Sequence, residues 1–552
     1  MSLQEIFNTF SVDGLLQVLT YDPEQPLIFS SGLFLFLFLG FTFVYMLLRK
    51  QFTARLIFVT LFSYYFYYKS SGFYFFLLAV VTVSDWLIGR QIGRLVNEAP
   101  HTAPEVSAPL SSPEGDTIVS ASTPIEAPSG AVGGAKRAVE TCVGVAPSSL
   151  RRAKWLVALS VIIDLSLLGY FKYTNFFFGS IAELLGNNFQ PWDIFLPVGI
   201  SFFTFQSLSY TIDVYRRSIR PLDSLLDYAF FVSFFPQLVA GPIVKARDFV
   251  PQIRKPIVVT RRMFAMGVYL IVIGLFKKAV ISDYISINFV ERIFESPDMF
   301  SGIEVLLGLY GYSMQIYCDF SGYSDMAIGI ALLLGFRFPM NFNAPYKSTS
   351  ITDFWRRWHI SLSTWLRTYL YISLGGNRRG KVRQYWNLFL TMLLGGLWHG
   401  ASFNFVAWGA VQGLGLCAHK FFSQVVLHRS RHYESRGIMR VLAIFVTFHF
   451  VTAGWILFRA ADADVSISLL TQLFTNFHAE LLPDVLAGYP WVFGLMAFGF
   501  VSHFMPDAWQ RRLVARLSMT NVVVCALLIT AVIYIVIQVK SSDIQPFIYF
   551  QF

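Results

Sequence analysis

From Phe29 to Leu48 the chain runs without a charged side chain, and comparable apolar runs recur along its whole length. Such a run is long enough to cross a bilayer core of about 30 Å as a helix. Further runs fall at about 56–68, 73–88, 155–171, 195–212, 225–241, 263–281, 303–317, 326–338, 387–419, 438–458, 487–505 and 521–539. Backbone amides in lipid must be satisfied within their own segment. The expected fold class is therefore an all-α polytopic membrane protein, with roughly eleven to thirteen transmembrane or re-entrant helices. Composition supports this, because only 14% of residues are charged and 55% are apolar, against about 25% charged in soluble domains.

The net charge of +10 would suit a nucleic-acid binder if the basic residues formed one patch. They cluster instead beside the apolar runs, so lipid is the expected partner and nucleic acid is not. Residues 1–28 carry Glu5, Asp13, Asp22 and Glu24 but no Lys or Arg, whereas Arg49, Lys50 and Arg55 follow the first run at once. That asymmetry predicts an external N-terminus and a cytoplasmic first loop. A turn at Lys69-Ser70-Ser71-Gly72 then brings the chain back to Arg90 and Arg94. The first run lacks a basic leader and a small-residue cleavage site, so it reads as a retained helix rather than a signal peptide.

Three regions follow: N-terminal membrane helices over 1–96, a disordered cytoplasmic linker over 97–150, and a larger membrane core over 151–552. The linker is rich in Pro, Ser, Ala, Gly, Glu and Thr and has nothing from which to build a core. Cys142, Cys318, Cys417 and Cys525 are scattered without metal-type spacing, so neither a disulfide framework nor a metal site is expected. The absence of a phosphate-loop motif disfavours an ATP-driven pump.

Polar residues at membrane depth are costly and point to function. Four such islands interrupt the apolar runs. In the first, Trp355-Arg356-Arg357-Trp358-His359-Ile360-Ser361-Leu362-Ser363-Thr364-Trp365-Leu366-Arg367, Ser350 and Asp353 resemble a capping box that starts a helix. Helical spacing puts Trp358, Leu362, Trp365 and Tyr369 on one apolar stripe, with the arginines mainly on the other side. Guanidinium groups there suit phosphates or headgroups. The plainer reading is an interfacial anchor helix with His359 as a packing residue.

In the second island, Leu393-Leu394-Gly395-Gly396-Leu397-Trp398-His399-Gly400-Ala401-Ser402, His399 lies near the middle of a stretch with no Lys, Arg, Asp or Glu between Arg383 and Lys420. As one helix that stretch would be about 54 Å long, too long for one crossing and cramped for two. Gly395, Gly396 and Gly400 predict a break near the histidine. An imidazole in such surroundings is expected to be neutral near pH 7 and able to accept a proton from a hydroxyl. The alternative is a structural hydrogen bond between helices. His419, His428, His432, His449, His478 and His503 are assigned no role.

The third island, Gln315 to Ala327, holds Asp319 and Asp325, which serve either a site or ion pairs with arginines that keep helices in register; the second reading is favoured. Without a nucleophile-elbow pattern, Ser321 and Ser324 are poor nucleophiles. The fourth joins Leu196–Gln206 to Phe235–Ile243, where Pro and Gly break membrane helices and suggest pore walls or simple kinks.

Taken together, the islands resemble the membrane-bound O-acyltransferase family, in its bacterial branch of alginate O-acetylation and teichoic acid D-alanyl transfer proteins. The resemblance rests above all on WRRWHISLSTWLR and LGGLWHGAS and runs from about residue 28 to the closing Phe547-Ile548-Tyr549-Phe550-Gln551-Phe552. The linker is longer than the family leads one to expect. The resemblance implies a helical bundle around a central tunnel in the bacterial inner membrane, with the N-terminus periplasmic. It implies an O-acyltransferase, most readily an acetyltransferase. His399 matches the family's invariant histidine and His359 its second one. The donor implied is acyl-CoA, as acetyl-CoA, with no bound cofactor. Arg356, Arg357 and Arg367 are candidates for the donor's phosphates, and Trp398, Asp319 and Asp325 for substrate binding. Implied partners are a periplasmic lipase-like acetyltransferase and polysaccharide synthase machinery, in an exopolysaccharide or other envelope pathway. Two rival readings are a glycan or lipid-intermediate flippase without chemistry, for which the expected internal repeat is not seen, and a non-catalytic scaffold.

Overall fold

The computed structural model describes residues 17–23, 26–97, 147–428 and 435–520, with 524, 527, 530, 531 and 534. Most of the linker expected at 97–150, the apolar run at 521–539 for the most part, Cys142, Cys525, His432 and the C-terminal Phe-rich end lie outside the described residues.

Among the described residues the principal elements are α1 (Gly32–Leu47), α2 (Phe52–Ser71), α3 (Phe75–Asn97), α4 (Pro147–Leu168), α5 (Thr174–Leu184), α6 (Ile200–Tyr215) and α7 (Leu225–Ser233). After them come α8 (Ala246–Ile253), α9 (Arg261–Phe276), α10 (Gly302–Leu333), α11 (Ile351–Arg357), α12 (Ile360–Trp365), α13 (Gly380–His399) and α14 (Phe403–Phe421). The chain continues through α15 (Gly437–Arg459), α16 (Ala463–Thr475), α17 (Pro490–Phe504) and α18 (Asp507–Met519). Short helical turns join several of these, and no strand occurs among the described residues.

Helix starts follow local chemistry. Ser31 accepts from the Phe34 amide to cap α1, and Ser301 with Glu304 forms a capping box on α10. Among the described residues four helical stretches are long and apolar enough to cross a membrane: Phe52–Val96, Ser148–Leu184, Arg261–Glu295 and Gly437–Arg459. A fifth is added if Ala479–Gly488 and Pro490–Phe504, bent by 97°, form one span. Most other apolar runs among the described residues fold as shorter helices, whereas those at 303–317 and 326–338 join in the single 32-residue helix α10, unbroken through Gly322.

The turn expected at Lys69–Gly72 is present, with Gly72 at φ 59°. The outer ends of α2 and α3 are each met by an arginine of the 216–254 region: Arg254 lies over the Phe52 ring at 5.6 Å, and Arg217 donates to the Val96 carbonyl at 2.6 Å. Arg55 donates to the Arg49 carbonyl near the end of α1, and Arg216, just past α6, donates to the Thr368 carbonyl. One face of the bundle is thus a basic rim. The opposite end of α6, one helix length of about 24 Å away, carries the site.

Candidate active site in a broken-helix core

The charge-free stretch from 384 to 419 is two antiparallel helices, α13 and α14, and the break falls where expected, at Gly400. His399 is the last residue of α13. The two helices lie so close that a Cβ on Gly396 would stand 2.3 Å from the Phe405 carbonyl oxygen and 2.8 Å from the Gly409 Cα. Only hydrogen fits between these backbones.

The other end of this turn is held from outside. At Gly169–Tyr173 the helix that begins as α4 widens into a π-helical turn before continuing as α5. From it Lys172 Nζ donates to the carbonyls of Trp398 and His399, each at 2.8 Å, and the Tyr173 hydroxyl donates to the Leu397 carbonyl at 2.8 Å. These are orphan acceptors of the α13 C-terminus, where a cation also complements the helix dipole.

His399 is 3% exposed and walled by rings: Trp398, Trp408 and Phe458 have centroids 4.9, 5.2 and 5.2 Å from the imidazole. It lines a cavity of about 40 Å³ together with Lys172, Ser201, Phe202, Val239, Trp398 and the backbone around Gly199. That space admits two or three waters or a group of acetyl size. Gly199 has φ +76°, and a Cβ there would meet the Leu238 carbonyl oxygen at 2.6 Å. The fourth island therefore does form a cavity wall.

The first island departs from expectation. Instead of one helix it makes two, α11 and α12, separated at His359, which sits in the left-handed region at φ 43°. The reason is Asn341, far away in sequence and fully buried. Its carbonyl accepts from the Ile360 amide at 2.9 Å. Its side-chain Oδ1 accepts from Ser361 N at 3.2 Å and Ser361 Oγ at 2.9 Å. These bonds replace the helical ladder across the break. Because an amide N–H can only donate, the Ser361 contact fixes which atom of Asn341 is oxygen, and Nδ2 donates to Ser324 Oγ at 3.0 Å. His359 Nδ1, 3.2 Å from Oδ1, must then carry its proton, which leaves the lone pair on Nε2. The expected apolar stripe survives the break: Trp358, Leu362, Trp365 and Tyr369 are all buried.

His359 and His399 meet at Trp398, whose indole lies 6.3 Å from the first imidazole and 4.9 Å from the second. From there rings fill the line toward the basic rim. Phe205 stacks on Trp398 at 5.2 Å, Trp365 on Phe205 at 3.7 Å, and Tyr369 follows at 5.1 Å. Arg216 and Lys245 flank that last ring at 5.5 and 6.0 Å. Where the resemblance implies a central tunnel, the structure has a small cavity beside His399, and packed rings occupy the line from there toward the basic rim.

The other candidates stand apart. Arg357 is bound to Asp353 at 3.0 Å and to the Asn343 carbonyl, while Arg356 and Arg367 are exposed. Asp319 and Asp325 form ion pairs, as favoured, but with lysines rather than arginines: Lys278 at 2.6 Å and Lys277 at 2.7 Å. Both lysines come from a π-helical turn, Lys277–Ser282, packed against α10, and neither aspartate lines the cavity. Phe320, next to Asp319, packs edge-on against the His359 imidazole at 4.6 Å. Lys172 and Asn341 were not singled out in the sequence. Lys172 is the lone charge between Asp164 and Glu183, a signal of the kind used for the other islands; Asn341 carries no local signal.

A family model described as MBOAT, membrane-bound O-acyltransferase family, matches residues 165–456, which include both histidines. The chain is 45% identical over 338 residues to the "Probable alginate O-acetylase AlgI" of Pseudomonas aeruginosa, covering 60% of this chain and 63% of that protein. It is 38% identical over 432 residues to the protein of the same description from Pseudomonas putida, covering 74% and 87%. It is 40% identical over 350 residues to the "Peptidoglycan O-acetyltransferase" of Helicobacter pylori, covering 59% and 65%. With its apolar helices and a match across more than half its length, the chain is a multi-pass member of the membrane-bound O-acyltransferase family.

Proposed function

We propose that this protein is an O-acyltransferase that takes an acetyl group from acetyl-CoA on the basic face of the membrane and passes it to a hydroxyl in an envelope glycan pathway. The acceptor is the polysaccharide itself or a periplasmic lipase-like acetyltransferase working beside the polymer synthase. The basic face is then cytoplasmic, the membrane is the bacterial inner membrane, and the N-terminus is periplasmic, in keeping with the basic residues that follow α1.

The observation that carries this reading is the meeting of two buried imidazoles at one tryptophan, with His399 on a cavity sized for a small acyl group. His399 takes the proton of the acceptor hydroxyl as its oxygen attacks the thioester carbonyl, and returns it to the departing thiolate. His359, fixed by Asn341 with Nε2 as acceptor, orients the donor and completes the site. Arg356, Arg357 and Arg367 bind the donor's phosphates. Trp398 forms the wall against which the acyl group lies, and Asp319 and Asp325 hold α10 in the register that presents Phe320 to His359.

Incubating the purified protein with radiolabelled acetyl-CoA and an acceptor tests the proposal. It requires release of CoA with label moved to the acceptor. A protein that moves glycan or lipid across vesicles without consuming the thioester would be a transporter, and one that does neither would be a scaffold.

A further inference from the structure

Lys172 has no part in the scheme above, yet it is the only Lys or Arg among the residues that line the cavity. Two of its three N–H bonds are spent on the Trp398 and His399 carbonyls. No acidic side chain among the described residues acts on its charge. A lysine held by neutral carbonyls at a cavity has, when protonated, a third N–H and a positive charge for whatever enters. A second donor is nearby: Trp398 Nε1 is buried and has no hydrogen-bond acceptor among the described residues, although an indole N–H normally finds one. Both residues line the same space as His399.

We propose that Lys172 is a further catalytic residue that, with the Trp398 indole N–H, receives the oxyanion formed when the thioester carbonyl is attacked. This rests on the acyltransfer reading. The acceptor O–H bond breaks and its proton goes to His399; the oxygen bonds to the carbonyl carbon, whose C=O electron pair moves onto oxygen and is held by the two N–H groups. The intermediate collapses, the C–S bond breaks, and the thiolate takes the proton from His399. The π-helical turn has a purpose in this account, since the extra residue rotates Lys172 toward the end of α13, and such turns recur at functional sites.

The test compares wild type with Lys172→Met, Lys172→Gln and Trp398→Phe in steady-state transfer of radiolabelled acetyl from acetyl-CoA, with thermal unfolding in detergent as the folding check. Loss of one oxyanion donor is worth about 10²–10³ in kcat. K172M is expected to fall by that factor with the acetyl-CoA KM within about threefold, K172Q by less, and W398F by about tenfold or more. A folded K172M with wild-type kcat, or one whose loss lies wholly in KM, overturns the proposal. Should neither K172M nor K172Q fold, Lys172 is a structural cap and the proposal is likewise overturned. An inactive wild type would instead overturn the acyltransfer reading.

Discussion

Replacing Asn341 by alanine is the sharpest structural test of how the second histidine is held. Oδ1 accepts three bonds, from His359 Nδ1, Ser361 N and Ser361 Oγ. The Ser361 hydroxyl can turn elsewhere, but the amide and the imidazole N–H are fixed donors in a fully buried setting. Each buried donor left without a partner costs about 1–3 kcal/mol, so N341A is expected to destabilise the fold by about 2–6 kcal/mol. His359 also pays about 1–2 kcal/mol for its left-handed backbone, and with the clamp gone that strain favours relaxation of the break. A displacement of about 1 Å can cost about 10²-fold in rate, so transfer from acetyl-CoA should fall by that order. N341D keeps acceptors for all three bonds and lets Ser324 donate in return, so its activity and thermal stability should lie between those of wild type and N341A. Both are read from turnover and thermal unfolding of purified protein in detergent. Wild-type turnover in N341A, or an N341D no better than N341A, would refute the clamp.

Gly396→Ala drives a methyl into the Phe405 carbonyl and the Gly409 backbone, neither of which can swing away; about 1–3 kcal/mol of destabilisation and a loss of transfer are expected, while Gly494→Ala, which meets nothing within 4 Å, should match wild type in the same assays. Lys278→Met removes the cation shared by Asp319 and Asp283 and should lower stability by about 3–5 kcal/mol, more than Lys277→Met, whose partner is 20% exposed; equal unfolding midpoints for the two would count against this. Combined alanine substitution of Arg356, Arg357 and Arg367 should weaken acetyl-CoA binding with the fold intact, because the one ion pair lost is partly exposed and worth about 0–1 kcal/mol; unchanged donor affinity would remove these residues from the site.

The break beside His399 was legible because length and charge decide it locally: a stretch too long for one crossing, free of charge and supplied with glycines, has to fold back. The break at His359 was not. A capping signal and an unbroken apolar stripe describe one helix, and the stripe is indeed buried on both sides of the break. What interrupts the helix is Asn341, nineteen and twenty residues upstream of the Ile360 and Ser361 amides from which its backbone and side-chain oxygens accept, which periodicity does not encode. The same limit explains the aspartates. Depth alone predicts that Asp319 and Asp325 are paired, but the choice of Lys277 and Lys278 depends on a π-helical turn whose register is set by packing. Lys172 could have been found by the rule applied to the other islands, as a single charge within an apolar run.

The central claim is that the His399 imidazole moves the proton in acyl transfer. The direct measurement is release of CoA from acetyl-CoA, with label followed to the acceptor, by purified wild type and by His399→Ala and His399→Gln variants shown to fold. General base catalysis is worth about 10²–10⁴ in rate, so both variants should lose at least a hundredfold while the unfolding midpoint of H399Q stays near that of wild type. Transfer at the wild-type rate by a folded H399Q would contradict the account.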